Sequence, residues 1–167
     1  SIGDLMSGLL LFFVLLFVTV LLQLQEAQED RVERRRVLIG TLIEELQGNA
    51  IEVEVNAETG DVSVKEGVLF EERRWELTPA GQDFLEHFVP VYSDVIFSRQ
   101  EFEDEITRVI IEGHASSSGT HEENLRLSLL RSNAVASYVL SDEVRFDSKT
   151  GLARKLLAAG RGELDAD

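Results

Sequence analysis

The run Leu5 to Leu22, LMSGLLLFFVLLFVTVLL, constrains this chain more than any other stretch. It holds about 18 residues broken only by Ser7, Gly8 and Thr19, and as a helix it spans roughly 27 Å, the hydrocarbon thickness of a bilayer. Residues 1–22 therefore read as one transmembrane helix. Its single ionisable side chain, Asp4, lies at the N-terminal edge. A carboxylate at membrane depth is costly unless it faces protein or a water-filled path, so Asp4 is a candidate functional residue. The alternative is a helix cap or the solvated mouth of the span. No basic segment precedes the run, it exceeds a usual signal-peptide core, and no Ala-x-Ala site follows within 23–28. A retained anchor is expected, with room for a further segment ahead of Ser1.

Behind the span, roughly 120 residues beyond residue 49 suffice for one ordinary domain. The formal net charge of −15 argues against a nucleic-acid partner, which requires a basic face. Cysteine is absent, which removes disulfides, thiolate metal sites and a cysteine nucleophile.

Residues 23–49 carry apolar positions at helical spacing: Leu22, Ala27, Val32, Leu38 or Ile39, Leu42 and Leu46, with Gly48-Asn49 as the stop. An unbroken helix over 23–47 projects about 37 Å past the membrane as a stalk. Its stripe is expected to pair in a parallel dimeric coiled coil, the alternative being packing on the chain's own domain. Arg31, Arg34, Arg35 and Arg36 sit on this side of the span, but Glu26, Glu29, Asp30 and Glu33 are mixed with them, so the positive-inside rule gives little orientation.

Residues 50–167 read as an α/β two-layer domain, a mixed sheet with helices on one face. Ile51, Val53 and Val55 alternate with polar residues, as do Val62 and Val64 beyond the turn 57–61, which predicts a hairpin. Val68-Leu69-Phe70 suggests a further strand. Thr78-Pro79 opens a helix that Pro90 is expected to kink or break. The run Ile106 to Ile111 predicts a buried strand, and a helix over 122–140 is expected to bury Leu125, Leu129, Ala136 and Val139 or a neighbouring stripe. A short helix over 151–157 leads into a possible strand start at 157–160. Ser116, Ser117 and Ser118 lie near His114 and His121, but no G-x-S-x-G turn or third orienting group accompanies them, so no catalytic residue is assigned. Three scattered histidines make no metal site, and no cofactor is called for.

The segments IIEGHASSSG and NLRLSLLRSNAVASYVL resemble the OmpA-type peptidoglycan-binding domain, whose Gly-His loop precedes an Asn-x-x-Leu-Ser-x-x-Arg helix. Gly113-His114 match the loop; Asn124, Leu127, Ser128 and Arg131 match the helix; and Gly160 to Glu163 fit a later Gly-x-Gly-Glu. The resemblance covers about Ala50 to the C-terminus, stopping before that family's closing strand and last basic helix segment. It implies that Arg131 and Asn124 hold the stem peptide of peptidoglycan, with Arg131 pairing a carboxylate and Leu127 lining the pocket; the alternative for Arg131 is a solvated helix charge. One departure matters: Ser116 stands where many members carry Asp, and a serine hydroxyl cannot neutralise an ammonium.

Asp4-Leu5-Met6-Ser7 in a Phe- and Leu-rich span resembles the ion-carrying helix of MotB- and PomB-like stator subunits. With the wall-binding motif it implies the B subunit of a rotary motor: a homodimer within a pentamer of MotA/ZorA-like membrane subunits, in the bacterial inner membrane. The N-terminus then faces the cytoplasm and the C-terminal domain the periplasm. The short stalk resembles ZorB of the Zorya anti-phage system more than a flagellar stator, whose plug and long linker it lacks. Asp4 would carry H+ or Na+, and Ser7, one turn on, supplies either an oxygen for sodium or a small side chain for close packing. A flagellar stator subunit and a purely structural wall anchor are the competing readings.

Overall fold

The computed structural model describes residues 1–116 and 118–162. The first element, α1 (Ile2–Gly48), is one unbroken helix through both span and stalk. Ser1 is its N-cap, accepting from the Asp4 backbone N–H, so Asp4 stands in the first turn and is not the cap. The helix is long and apolar enough to cross a membrane. Up to Val37 it is exposed nearly throughout; Leu38, Ile39, Leu42 and Leu46 are buried.

Those four residues meet the chain's own domain. Leu38, Leu42 and Leu46 join Val95 and Phe102 in a cluster, with Val53, Val55, Val62, Tyr92 and Ile106 packed against it. The lower part of the stripe expected to dimerise is thus covered from within, while Val32 remains 63% exposed. Residues 23–34 form the free part of the stalk, about 18 Å long at 1.5 Å per residue.

The hairpin is present as β1 (Glu54–Val55) and β2 (Val62–Ser63), antiparallel, with Glu54 opposite Ser63. It also braces the stalk: Arg35 donates to the Thr59 carbonyl at 3.1 Å, and Gly60, at φ +79°, lies against Ile39. Residues 68–70 form no strand run. Glu66–Leu69 make the single helical turn α2, and Phe70 bridges to Leu77 across a loop.

Next, α3 (Pro79–Phe97) is capped by the Thr78 hydroxyl, which accepts from Gly81 N–H at 2.9 Å. Pro90 does not break it. A proline removes one backbone bond, but burial of Leu85, Val89, Val95 and Ile96 on both sides holds the helix together. A short helix, α4 (Gln100–Glu105), precedes β3 (Val109–Gly113), which starts three residues later than the apolar run suggests.

Then α5 (His121–Leu140) opens with a capping box between Thr120 and Glu123. After α6 (Lys149–Lys155), β4 (Leu156–Gly160) pairs with β3 in parallel, from Val109 opposite Leu156 to Gly113 opposite Gly160. The α/β domain therefore carries one antiparallel and one parallel strand pair among the described residues. The core between helices and parallel pair holds Leu85, Val89, Val135, Val139, Val144 and Leu152, with Val109 and Ile111 against it. Ile110 and Leu157, opposite each other on the other face, stay exposed, so the helices lie on one side.

Candidate functional site

The buried face of α5 is polar. Asn124, Ser128, Arg131 and Ser132 are buried with Val135 and Val139, while Leu129 of the expected stripe is 48% exposed and Leu125 lies outside too. Two glycines cause this. A Cβ on Gly113 would lie 2.0 Å from the Ser128 carbonyl oxygen, and one on Gly160 2.6 Å from Ser128 Oγ. Strand backbone approaches the helix too closely for a leucine, and Ser128 fits because its hydroxyl serves both sides. It donates to the Leu125 carbonyl at 2.8 Å and accepts from Gly162 N–H at 2.9 Å.

Arg131 is the centre of the site and is only 2% exposed. Its Nε donates to the Arg74 carbonyl at 2.8 Å, Nη1 to the His114 carbonyl at 3.0 Å and Nη2 to the Glu71 carbonyl at 3.4 Å. The Glu66 carboxylate closes on Nη1 at 2.6 Å, and the guanidinium carbon sits 5.1 Å from the Phe70 ring centroid. All three nitrogens are engaged, as burial of a cation requires. Arg131 thus clasps the loop 71–74 to the end of β3; it is no solvated helix charge.

The structure brings most of the expected wall-binding residues together. Asn124, Ser128 and Arg131 share one face of α5, with half-buried Leu127 beside them. Asn124 Oδ1 borders Gly119, which holds φ +114° in the loop leading to α5. Ser116 is exposed in that loop, two residues beyond the carbonyl that Arg131 grips, and its hydroxyl meets that of Ser118 at 2.9 Å. The loop is tied to the segment after β4 through Ala115 N–H donating to the Gly162 carbonyl at 3.0 Å. At its far end the Thr120 backbone N–H and hydroxyl bond the Glu123 carboxylate and hold its pKa below the usual value. Ser117 and Glu163, both part of the quoted motifs, lie outside the described residues.

Sequence reasoning missed Glu66, Phe70 and the loop 71–74. The carbonyls of Glu71 and Arg74 carry no side-chain signal, and Glu66 lies 65 positions before Arg131. Asp4 and Ser7 stand apart from this site at the exposed start of α1; three residues apart, they share a helix face. Among the described residues no group of acidic or histidine side chains is arranged to hold a metal ion.

A helix-backed parallel strand pair with a buried Asn-x-x-x-Ser-x-x-Arg face defines an OmpA-type domain. Residues 69–166, more than half of the chain, match the OmpA family, and the chain belongs to it. The crystal structure of a MotB-like protein from Desulfovibrio vulgaris is similar in fold, with a TM-score of 0.59 and 22% identity over 83% of this chain and 82% of that one. No curated protein matches the chain.

Proposed function

We propose that this chain is the ion-carrying, wall-anchored B subunit of an ion-driven rotary motor in the bacterial inner membrane, of the ZorB kind. The observation that carries the reading is the unbroken α1, which joins a span bearing a lone carboxylate, Asp4, to an OmpA-family domain. The likeness to a MotB-like fold supports the same arrangement. Two copies pair through the free stalk, 23–34, inside a pentamer of MotA/ZorA-like subunits. Asp4 of each takes an H+ or Na+ from the periplasmic side, is neutralised, and so tolerates an apolar subunit interface. Release to the cytoplasm restores the charge and favours the next interface. Alternation between the two Asp4 residues steps the ring, driven by about 2.3 kcal/mol per charge per 100 mV. The domain holds peptidoglycan through the Arg131 site, with Ser116, Asn124 and Leu127 around it, and so keeps the B subunits still.

The test is ion flux through vesicles containing the chain and its multi-span partner. Asp4→Asn keeps the subunits together on purification and abolishes flux; flux at the wild-type rate in this variant overturns the proposal. Loss of phage protection on deletion, with motility intact, separates the Zorya role from a flagellar one.

A further inference from the structure

Among the described residues Arg131 has four hydrogen-bonding partners, and they are not equally fixed. Three are backbone carbonyls, and the fourth is a carboxylate on a side chain that is 46% exposed. Glu66 opens α2, a single turn with no buried residue and no side-chain cap. The far end of that turn is anchored. Thr78 N–H donates to the Leu69 carbonyl at 2.9 Å, the Thr78 hydroxyl donates to the Val68 carbonyl at 2.9 Å, and Gly81 lets α3 press on the Leu69 backbone. Around Gly67, by contrast, a Cβ would meet nothing within 4 Å. Glu66 therefore sits at the loose end of a short arm whose other end is clamped.

We infer that Glu66 is an internal occupant of the carboxylate slot on Arg131, which a ligand carboxylate must displace before it binds. This rests on the proposed role of Arg131 in holding the stem peptide. An incoming carboxylate exchanges with one already paired, so it gains only the difference between two similar ion pairs. The apparent affinity is the intrinsic one multiplied by the fraction of molecules in which Glu66 has swung away. The slot itself stays built while occupied, because the Glu71, Arg74 and His114 carbonyls hold the guanidinium in place.

Trp75, the only tryptophan, adjoins Arg74, whose carbonyl Arg131 grips, and serves as the optical probe. The experiment titrates the full chain in detergent with sodium acetate against sodium chloride at equal ionic strength, following Trp75 fluorescence. Glu66→Gln and Glu66→Ala are expected to respond at acetate concentrations about tenfold lower than the wild type, the shift for an arm closed some nine-tenths of the time. Equal midpoints, a higher midpoint in the variants, or no acetate-specific response in any of them overturns the inference. Retention on purified peptidoglycan sacculi is measured on the same preparations. Failure of all variants to bind sacculi, with the acetate shift intact, overturns the wall-binding reading and leaves the slot standing.

Discussion

At Gly113 a single hydrogen atom decides whether strand and helix meet, because the obstacle to a methyl group is the Ser128 backbone and not a side chain that can turn aside. Gly113→Ala is expected to destabilise the domain by about 3 kcal/mol, the upper end for overpacking, and to lower Tm by roughly 10 °C in a thermal melt. Gly40 is the opposite case: it lies inside α1 with nothing within 4 Å of a Cβ, so Gly40→Ala should raise stability by up to about 1 kcal/mol. A pair of shifts with the same sign would contradict the packing described. The two tyrosines give a second prediction at this scale. Burial, with Asp61 nearby, raises the Tyr92 phenol above its ordinary value of 10.0, and donation to Glu86 at 2.5 Å pushes Tyr138 up to about 12. Both favour the neutral phenol in the folded chain. Their contribution is therefore complete below the unfolded pKa near 10 and is lost as pH rises through the folded values. Absorbance titration should show less than half of the phenol ionised at pH 10 and the larger rise beyond it, and half-ionisation at pH 10 would refute this.

Among the elements, the end of α1 is shared between stalk and domain. Leu46 is 1% exposed against Phe102 and Val95, so Leu46→Ala should cost roughly 2–5 kcal/mol and speed amide exchange over 38–47. Exchange unchanged from the wild type would mean that this segment does not rest on the domain. The apolar stripe along α1 was legible in the sequence, but not what covers it, since period alone does not distinguish a partner helix from the chain's own α3 and hairpin. The helix α3 was legible from Thr78-Pro79, a local signal. The buried face of α5 was not. Leu125 and Leu129 look like core by hydropathy, but Leu129 only flanks Gly160, and the close approach that puts Ser128 at the contact comes from Gly113 and Gly160, in two other elements. Arg131 stood out through its motif, whereas its clasp on the carbonyls of residues 71 and 74 depends on backbone placement about 60 positions away.

For the whole molecule, what matters is that one helix crosses from a span-length apolar segment to the packed core without a joint. In the motor role proposed above, such a connection passes displacement on directly, whereas a flexible tether takes part of it up as loop entropy. A dozen or so free helical residues are too few for a slack linker and enough for a rigid spacer of about 18 Å. Val32 lies in that free part, 63% exposed and outside both core clusters, so a proline there breaks the helix at a cost of about 3 kcal/mol without touching the domain. Val32→Pro is expected to leave the Tm of the domain and its retention on sacculi as in the wild type and, on the defence role proposed above, to abolish phage protection while Asp4 remains intact. Full protection in this variant would show that the stalk works as a tether, and the rigid coupling proposed for α1 would have to be abandoned.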